Sequence, residues 1–278
     1  MLRQALHVVQ MALQDETGRA RILQEVANAV RNIDMSQPPP VMGQRIHRIM
    51  REMSGVSDPY RAVKDRLNRA ALDFYPSLKA RIKGAARPME EAVRLAIAGN
   101  LLDCGVNSEM DKEHVQPVVE WAFHEQLIGD PNELAEAVLE SKTTLFLADN
   151  AGEIVFDRLL IEMLPREKAT IAVRGKPVLN DATLADAEQA GLTSQFEVIE
   201  NGSDALGTIL DDCSEAFQER FHAADLVIAK GQGNYETLSE AEKNIFFLLK
   251  VKCPVIARDI GRHVGDMVLQ RTAASAKH

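Results

Sequence analysis

The stretch TTLFLADN at residues 143–150 decides the fold class, because four apolar residues in a row end at an Asp-Asn pair. A short apolar run bounded by polar residues is typical of a buried strand. The same pattern recurs in ATIAVRG (169–175), FEVIENG (196–202), ADLVIAKG (224–231) and CPVIARDIG (253–261). Helical spacing fills the intervals between these runs. We therefore predict an α/β fold, a doubly wound, mainly parallel, Rossmann-like sheet with helices on both faces.

Residues 1–140 follow another pattern, with few turn signals and apolar residues three and four positions apart. Segments such as 61–82 and 89–103 show this spacing, which predicts amphipathic helices. We therefore predict an all-helical N-terminal domain over residues 1–140 and an α/β catalytic domain over residues 141–278. A chain of 278 residues is long enough to give each a hydrophobic core.

Composition indicates which partners and which cellular compartment the protein is expected to have. The formal net charge is -9, with 41 acidic and 32 basic residues, which argues against a nucleic-acid partner. The cysteines, Cys104, Cys213 and Cys253, form no CxxC pair, so a reducing cytoplasm is expected. No apolar run approaches the roughly 20 residues that span a bilayer. We expect a soluble cytoplasmic protein without a membrane partner, and no oligomeric state follows from the sequence.

The residues that could carry chemistry follow the predicted strands. In open parallel sheets, ligands bind beyond the carboxyl ends of the strands. Asp149, Asn150 and Asp181 come after the first and second strands and offer two carboxylates and an amide oxygen. Such a hard, oxygen-only set suits Mg²⁺ or Mn²⁺. Equally, Asp149 or Asn150 could simply cap the next helix, with Glu153 completing the capping interaction.

A glycine-containing turn follows the fourth strand, at Lys230-Gly231-Gln232-Gly233-Asn234. Its glycines could let backbone N–H groups approach an anion at a helix N-terminus, with Lys230 adding a charge. They could equally serve only to make a tight turn. Lys250, near the start of the predicted fifth strand, could reach a phosphate or be a solvated surface charge.

Asn100 and Asp103 are polar positions in the apolar segment AIAGNLLDCGV (96–106) and share a helix face. Polar side chains in such a segment are expected to be hydrogen-bonded when they are buried. We predict that they make buried hydrogen bonds behind the site.

Several segments together resemble the damage-control phosphatase family, a group of metal-dependent enzymes. They are LRQAL (2–6), DPYRAVK (58–64), AIAGNLLDCGV (96–106), DNAGEIVFDRLLIE (149–162), VRGKPVLNDAT (173–183) and AKGQGNYETL (229–238), in order along nearly the whole chain. The combination of DNAGE and KGQGN is specific. Relatives of this branch often carry a CxxC pair ahead of LRQAL, which this sequence does not show, so no role of those cysteines is transferred.

The resemblance implies a helical region packed on an α/β domain and a divalent metal, Mn²⁺, Ni²⁺, Co²⁺ or Mg²⁺, held by Asp149, Asn150 and Asp181. It also implies substrate or phosphate contacts from residues 230–234 and from Lys250, and we add Glu153 as a substrate-contact or supporting residue. We predict a metal-dependent phosphatase acting on phosphomonoesters of small metabolites, either sugar phosphates or damaged phosphometabolites. The attacking group is water or the Asp149 carboxylate.

Two other classes stay open at this point. An acidic turn after a strand also suits a nucleotide- or S-adenosylmethionine-dependent transferase, although no glycine-rich first turn of the dinucleotide type is present. A non-catalytic protein that binds phosphorylated metabolites would use the same residues. No GxSxG elbow and no HExxH spacing occurs, which disfavours a triad hydrolase and a zinc peptidase.

Overall fold

The computed structural model describes residues 2–32, 34, 37–101 and 112–272, and the structural statements below concern these residues. The helices are α1 Leu2–Ala12, α2 Glu16–Arg31, α3 Pro39–Ser54, α4 Arg61–Gly84, α5 Pro88–Gly99, α6 Lys112–His124, α7 Pro131–Glu140, α8 Glu153–Ile161, α9 Leu184–Gln189, α10 Glu215–Ala223, α11 Gly231–Leu238 and α12 Pro254–Ile260. The strands are β1 Leu127–Ile128, β2 Thr144–Leu147, β3 Ala169–Val173, β4 Glu197–Glu200, β5 Leu226–Lys230, β6 Ile245–Lys250 and β7 Met267–Arg271.

The described strands form one sheet in the order β1-β7-β6-β5-β2-β3-β4. Each neighbouring pair is parallel except β6–β7. Alternate residues face two different cores, as the pleat of a strand requires: Phe146 and Ile228 point to one, Leu145 and Val227 to the other. Helices α4, α5 and α8 contribute to the first core, and α10, α11 and α12 to the second. The predicted fold class is therefore confirmed.

The predicted fifth strand is wrong. Residues 254–260 of CPVIARDIG form α12, with Pro254 in its first turn, where the missing N–H costs no hydrogen bond. The strand lies earlier, at β6, and strands β1 and β7, at one end of the sheet, were not predicted. Lys250 is consequently the last residue of a strand and lies at the carboxyl edge of the sheet.

The helices before the sheet divide between two cores. Helices α1–α3 gather around Val8, Ile22, Val26 and Ile46, whereas α4 and α5 pack with α8 on the sheet. The division at residue 140 coincides with the end of α7 and stays a prediction. Among the described helices, none is both long and apolar enough to cross a membrane.

Candidate active site

The turn after β2 carries Asp149 and Asn150 into the start of α8. Gly152, with φ of 78°, is the residue that precedes α8, and no side chain caps the helix there. The interpretation of Asp149 or Asn150 as a helix cap is therefore wrong. The Gly152 N–H is instead bound by Asn68 Oδ1 of α4, at 2.6 Å.

Asp181 is brought to this turn by backbone pairing. Asn150 and Asp181 form an isolated antiparallel bridge, and the Ala182 N–H donates to the Asp149 carbonyl at 2.7 Å. Opposite residues in an antiparallel pair present their side chains on the same face. Asp149, Asn150 and Asp181 therefore lie together at the carboxyl edge of the sheet, all buried.

Arg174, which directly follows β3, lies between the two aspartates. Its Nε donates to Asp181 Oδ2 at 2.7 Å, and its Nη2 lies 3.6 Å from Asp149 Oδ1. Sequence reasoning assigned no role to Arg174. Its place immediately after a strand, at the same edge as Asp149, was the available signal.

Asn100 and Asn150 hold the other side of the Asp149 carboxylate. Their Nδ2 groups donate to Asp149 Oδ2 at 3.1 and 2.8 Å and to Glu153 Oε2 at 2.9 and 3.0 Å. The predicted buried hydrogen bonds of Asn100 are therefore confirmed, while Asp103 lies outside the described residues. The Asn100 Oδ1 atom is buried and has no hydrogen-bond partner in the described part of the chain.

Acidic side chains outnumber basic ones at this site. Burial raises the pKa of Asp149 well above its ordinary value, and the charges of Glu153 and Asp181 raise it further, against Arg174 and Lys252. The buried groups comprise four carboxylates and two cations: Asp149, Glu153, Asp157 and Asp181, with Arg174 and Lys230. Burial also raises the pKa of Asp157 to about 8, so bound protons offset part of this difference of two charges, and a divalent cation would take their place.

The donor set fits a hard divalent cation. Asp149, Asn150 and Asp181 offer oxygen atoms at one point of the sheet edge, which is the ligand type that such ions prefer. Within the described residues, no three His, Cys, Asp or Glu side chains are grouped as a metal site.

Lys230 does not reach the sheet edge with its ammonium group. The side chain is fully buried, and its Nζ lies 2.5 Å from Glu153 Oε1, 2.7 Å from Asp157 Oδ1 and 2.7 Å from the Ala96 carbonyl. Two of these contacts are hydrogen bonds and the contact with Asp157 is an ion pair. Lys230 thus neutralises carboxylates behind the site, and its ammonium group points away from the edge at which a phosphate would bind.

The glycine-containing turn packs directly against Asp149. Gly231 begins α11 with φ of 77°, and a β-carbon there would collide with the Asp149 carboxylate. Gly233 lies against the backbone of Leu206 and Gly207. The first turn of α11, with its unpaired N–H groups, is thereby placed beside Asp149.

Two amide side chains of this turn, Gln232 and Asn234, form hydrogen bonds that hold the start of α11. Asn234 is buried and donates to the Lys230 carbonyl at 2.8 Å. Gln232 accepts the Lys252 N–H at 3.0 Å and donates to Glu236 at 2.7 Å. Gln232 therefore links the start of α11 to the segment that follows β6.

Two lysines at the end of β6 differ in their surroundings. The Lys250 Nζ lies 4.4 Å from the centre of the Trp121 ring, and partial burial lowers its pKa. Lys252 is exposed, and its charge lowers the pKa of Asp149. Sequence reasoning missed Lys252, because it placed the last strand after this residue. Since β6 in fact ends at Lys250, both lysines lie at the carboxyl edge of the sheet.

Comparison with known proteins identifies the family. The sequence signature of the damage-control phosphatase ARMT1-like domain covers residues 1–268. A damage-control phosphatase of Archaeoglobus fulgidus is 41% identical over 233 residues, which are 82% of this chain and 80% of that protein. A damage-control phosphatase of Pyrococcus horikoshii is 36% identical over 277 residues, 98% of this chain and 95% of its own length.

The fold agrees with that assignment. The crystal structure of a DUF89 family protein from Pyrococcus horikoshii superposes with a TM-score of 0.88 at 34% identity. The match covers 98% of this chain and 96% of that one. Sequence signature, relatives and fold thus agree over the same length, and the chain belongs to the damage-control phosphatase family.

Proposed function

We propose that this chain hydrolyses phosphomonoesters of small metabolites in a metal-dependent reaction at the Asp149 site. The observation that carries the proposal is the grouping of Asp149, Asn150 and Asp181 beside the first turn of α11. Family membership supports phosphatase chemistry, since two relatives, matched over 80% and 95% of their own length, are named damage-control phosphatases. Sugar phosphates and damaged phosphometabolites are the substrate classes we favour.

The metal ligands are Asp149, Asn150 and Asp181 in this proposal. A divalent cation held there, Mn²⁺, Ni²⁺, Co²⁺ or Mg²⁺, supplies positive charge that stabilises the phosphoryl group as it is transferred. Arg174 holds Asp181 through its Nε. Asn100 and Glu153 fix the outer side of Asp149 and Asn150.

The phosphate contacts come from the exposed side of the same edge. Lys252 supplies an exposed positive charge, and the N–H groups that begin α11 supply fixed donors. We keep residues 231–234 and Lys250 as candidate contacts, with Lys252 added. Glu153 is fully buried and touches Asn100, Asn150 and Lys230, so it acts through those side chains.

Water is the attacking group we favour. Asp149 Oδ2 already accepts hydrogen bonds from two amides, and Oδ1 faces Arg174. Hydrogen bonds and a nearby cation both lower the nucleophilicity of a carboxylate, because they stabilise its charge before attack. Asp149 is thus better suited to bind than to form an aspartyl phosphate.

The test is hydrolysis of p-nitrophenyl phosphate and of a phosphometabolite panel, with each of the four metals, by the wild type and by Asp149→Ala. Metal-dependent turnover by the wild type and its loss in Asp149→Ala are expected, with Glu219→Ala, at an exposed position of α10, as control. Retained activity in Asp149→Ala would contradict the assignment. Binding of S-adenosylmethionine without metal would favour a transferase, and metal and ligand binding without turnover would favour a binding protein.

A further inference from the structure

One face of α4 is polar although it is buried. Arg61, Lys64 and Asn68 are spaced three and four residues apart, so they line one side of the helix. Lys64 and Asn68 are fully buried. Polar side chains in such a place destabilise a fold unless each finds partners, and the identity of those partners indicates what the face is for.

Asn68 contacts both of the segments that meet at the proposed metal site. Its Oδ1 accepts the Gly152 N–H at 2.6 Å, in the turn that carries Asp149 and Asn150. Its Nδ2 donates to Asp186 Oδ1 at 2.9 Å and to Gln189 at 2.8 Å, both in α9, which follows Asp181. A single side chain therefore spans the two ligand-bearing segments.

Asp186 is the point on which the rest of this face converges. Its Oδ2 accepts from the backbone N–H and the hydroxyl of Thr183, at 2.9 and 2.7 Å, and so fixes the start of α9. Arg61 binds Asp186 Oδ1 at 2.7 Å. Lys64 lies 3.5 Å from Asp186 Oδ2 and also 3.5 Å from the Asp181 carbonyl. The loop that carries Asp181 is thus held against α4 from two sides.

We propose that Asn68 is a positioning residue, which sets the separation of the Asp149–Asn150 turn and the Asp181 loop and thereby the affinity for the divalent cation. The inference rests on the proposed function. A metal site tolerates errors of only about 0.2 Å in its ligand distances. Backbone hydrogen bonds of the Asn150–Asp181 bridge join the two segments at the site itself, and Asn68 adds a link from the Gly152 end of the turn to α9.

The experiment is a calorimetric titration of Mn²⁺ into the wild type, Asn68→Ala and Ser141→Ala, well below the melting temperature of each. Ser141 is a matched control: it is a buried polar residue whose hydroxyl binds the Val138 carbonyl beyond the amino end of β2, away from the carboxyl edge that bears the site. Both variants should melt at a lower temperature. Only Asn68→Ala should lose Mn²⁺ affinity, by about 10- to 100-fold, as is typical for outer groups that orient metal ligands.

An Asn68→Ala variant that is less stable but binds Mn²⁺ like the wild type would overturn the inference, since Asn68 would then be structural alone. If Asn68→Ala does not fold, Arg61→Ala decides by the same measurement, because Arg61 is partly exposed and also holds Asp186. Weakened Mn²⁺ binding by Arg61→Ala supports the inference, and unchanged binding contradicts it. A wild type that binds no Mn²⁺, or an Asp149→Ala variant that binds it equally well, would instead refute the proposed function.

Discussion

Gly231 packs so closely against Asp149 that a β-carbon added to Gly231 would collide with Asp149 Oδ2. The φ angle of Gly231 is 77°, in the region that favours glycine. Two independent requirements thus meet at one residue, a backbone conformation and a close approach. Through this contact the start of α11 forms one wall of the proposed metal site.

Gly231→Ala should therefore displace the Asp149 carboxylate. We expect Mn²⁺ affinity and phosphatase activity to fall by about 10-fold or more, with a loss of stability of about 1–2 kcal/mol from the backbone strain. Gly261→Ala is the matched control, because Gly261 has φ of 70° and no atom lies within 4 Å of the position that a β-carbon would take there. It should show the same strain and unchanged Mn²⁺ affinity. Equal effects of the two substitutions on Mn²⁺ binding would refute the contact argument.

Lys230→Met should destabilise the protein by about 3–5 kcal/mol, because Glu153 and Asp157 would stay buried without their cation. The double variant Lys230→Met/Asp157→Asn should recover part of this loss. Urea unfolding measures both. Lys79→Met, at an ion pair whose lysine side chain is 54% exposed, should change stability by less than about 1 kcal/mol.

A Lys230→Met variant of normal stability but with a raised KM for phosphate esters would contradict the internal role of Lys230. Such a result would support the phosphate contact by Lys230 that the family resemblance implied. The two roles therefore predict opposite outcomes in the same pair of measurements.

The sequence predicted the central strands well because parallel strands covered on both faces are continuously apolar. The two strands that were missed lack that pattern: β1, at one edge of the sheet, has two residues, and its neighbour β7 ends in exposed Arg271. In CPVIARDIG, the apolar run at 255–257 has the sequence pattern of a strand, but these residues lie in α12, which begins at Pro254. Local pattern does not distinguish these cases, because tertiary packing decides which short apolar runs become strands.

Site residues were easier to group than to orient. The meeting of Asp149 and Asp181 follows from the shared edge of parallel strands. The direction of Lys230 depends on strand alternation: Leu226 and Ile228 face the core that contains α5, and Lys230 continues on the same side, towards the Ala96 carbonyl. Because that alternation could have been applied to β5 in advance, the inward orientation of Lys230 was predictable in principle. The bond from Asn68 to Gly152 was not, since it joins residues 84 positions apart.

Lys252→Ala should lower kcat/KM for phosphate esters by about 10- to 100-fold, the effect of removing a hydrogen bond to a charged group. The fold should be unaffected, since Lys252 is exposed. Lys250→Ala tests the neighbouring candidate contact and should lower kcat/KM by a smaller factor, because the Lys250 Nζ lies against the Trp121 ring. Steady-state kinetics with p-nitrophenyl phosphate compare the two, and a larger kinetic effect of Lys250→Ala would reverse the assignment.

His47 makes stability depend on pH. Burial, together with the charge of Arg51, lowers the pKa of His47 to about 4, although Asp204 opposes the shift. In the unfolded chain the same group takes up a proton near its ordinary value of 6.5. Protons thus bind the unfolded state preferentially between pH 6.5 and about 4, and stability should fall by up to about 3 kcal/mol as pH is lowered through that window.

The free energy of unfolding, measured in urea from about pH 4 to about pH 7, checks this for the wild type and His47→Gln. The variant should lose most of the pH dependence in this window. His263→Gln, at a side chain that is 96% exposed, should keep it. Parallel curves for the wild type and His47→Gln would show that another group is responsible.

In the proposed function, the clustered carboxylates at Asp149 bind a metal at a cost in stability. Asp149→Asn keeps the shape of the side chain and removes its repulsion with Glu153 and Asp181. The decisive measurement is therefore the melting temperature of the wild type and Asp149→Asn, each with and without Mn²⁺. We predict that the metal-free variant melts at the same or a higher temperature than the metal-free wild type, and that Mn²⁺ raises the melting temperature of the wild type alone. Equal stabilisation of both proteins by Mn²⁺ would contradict the account.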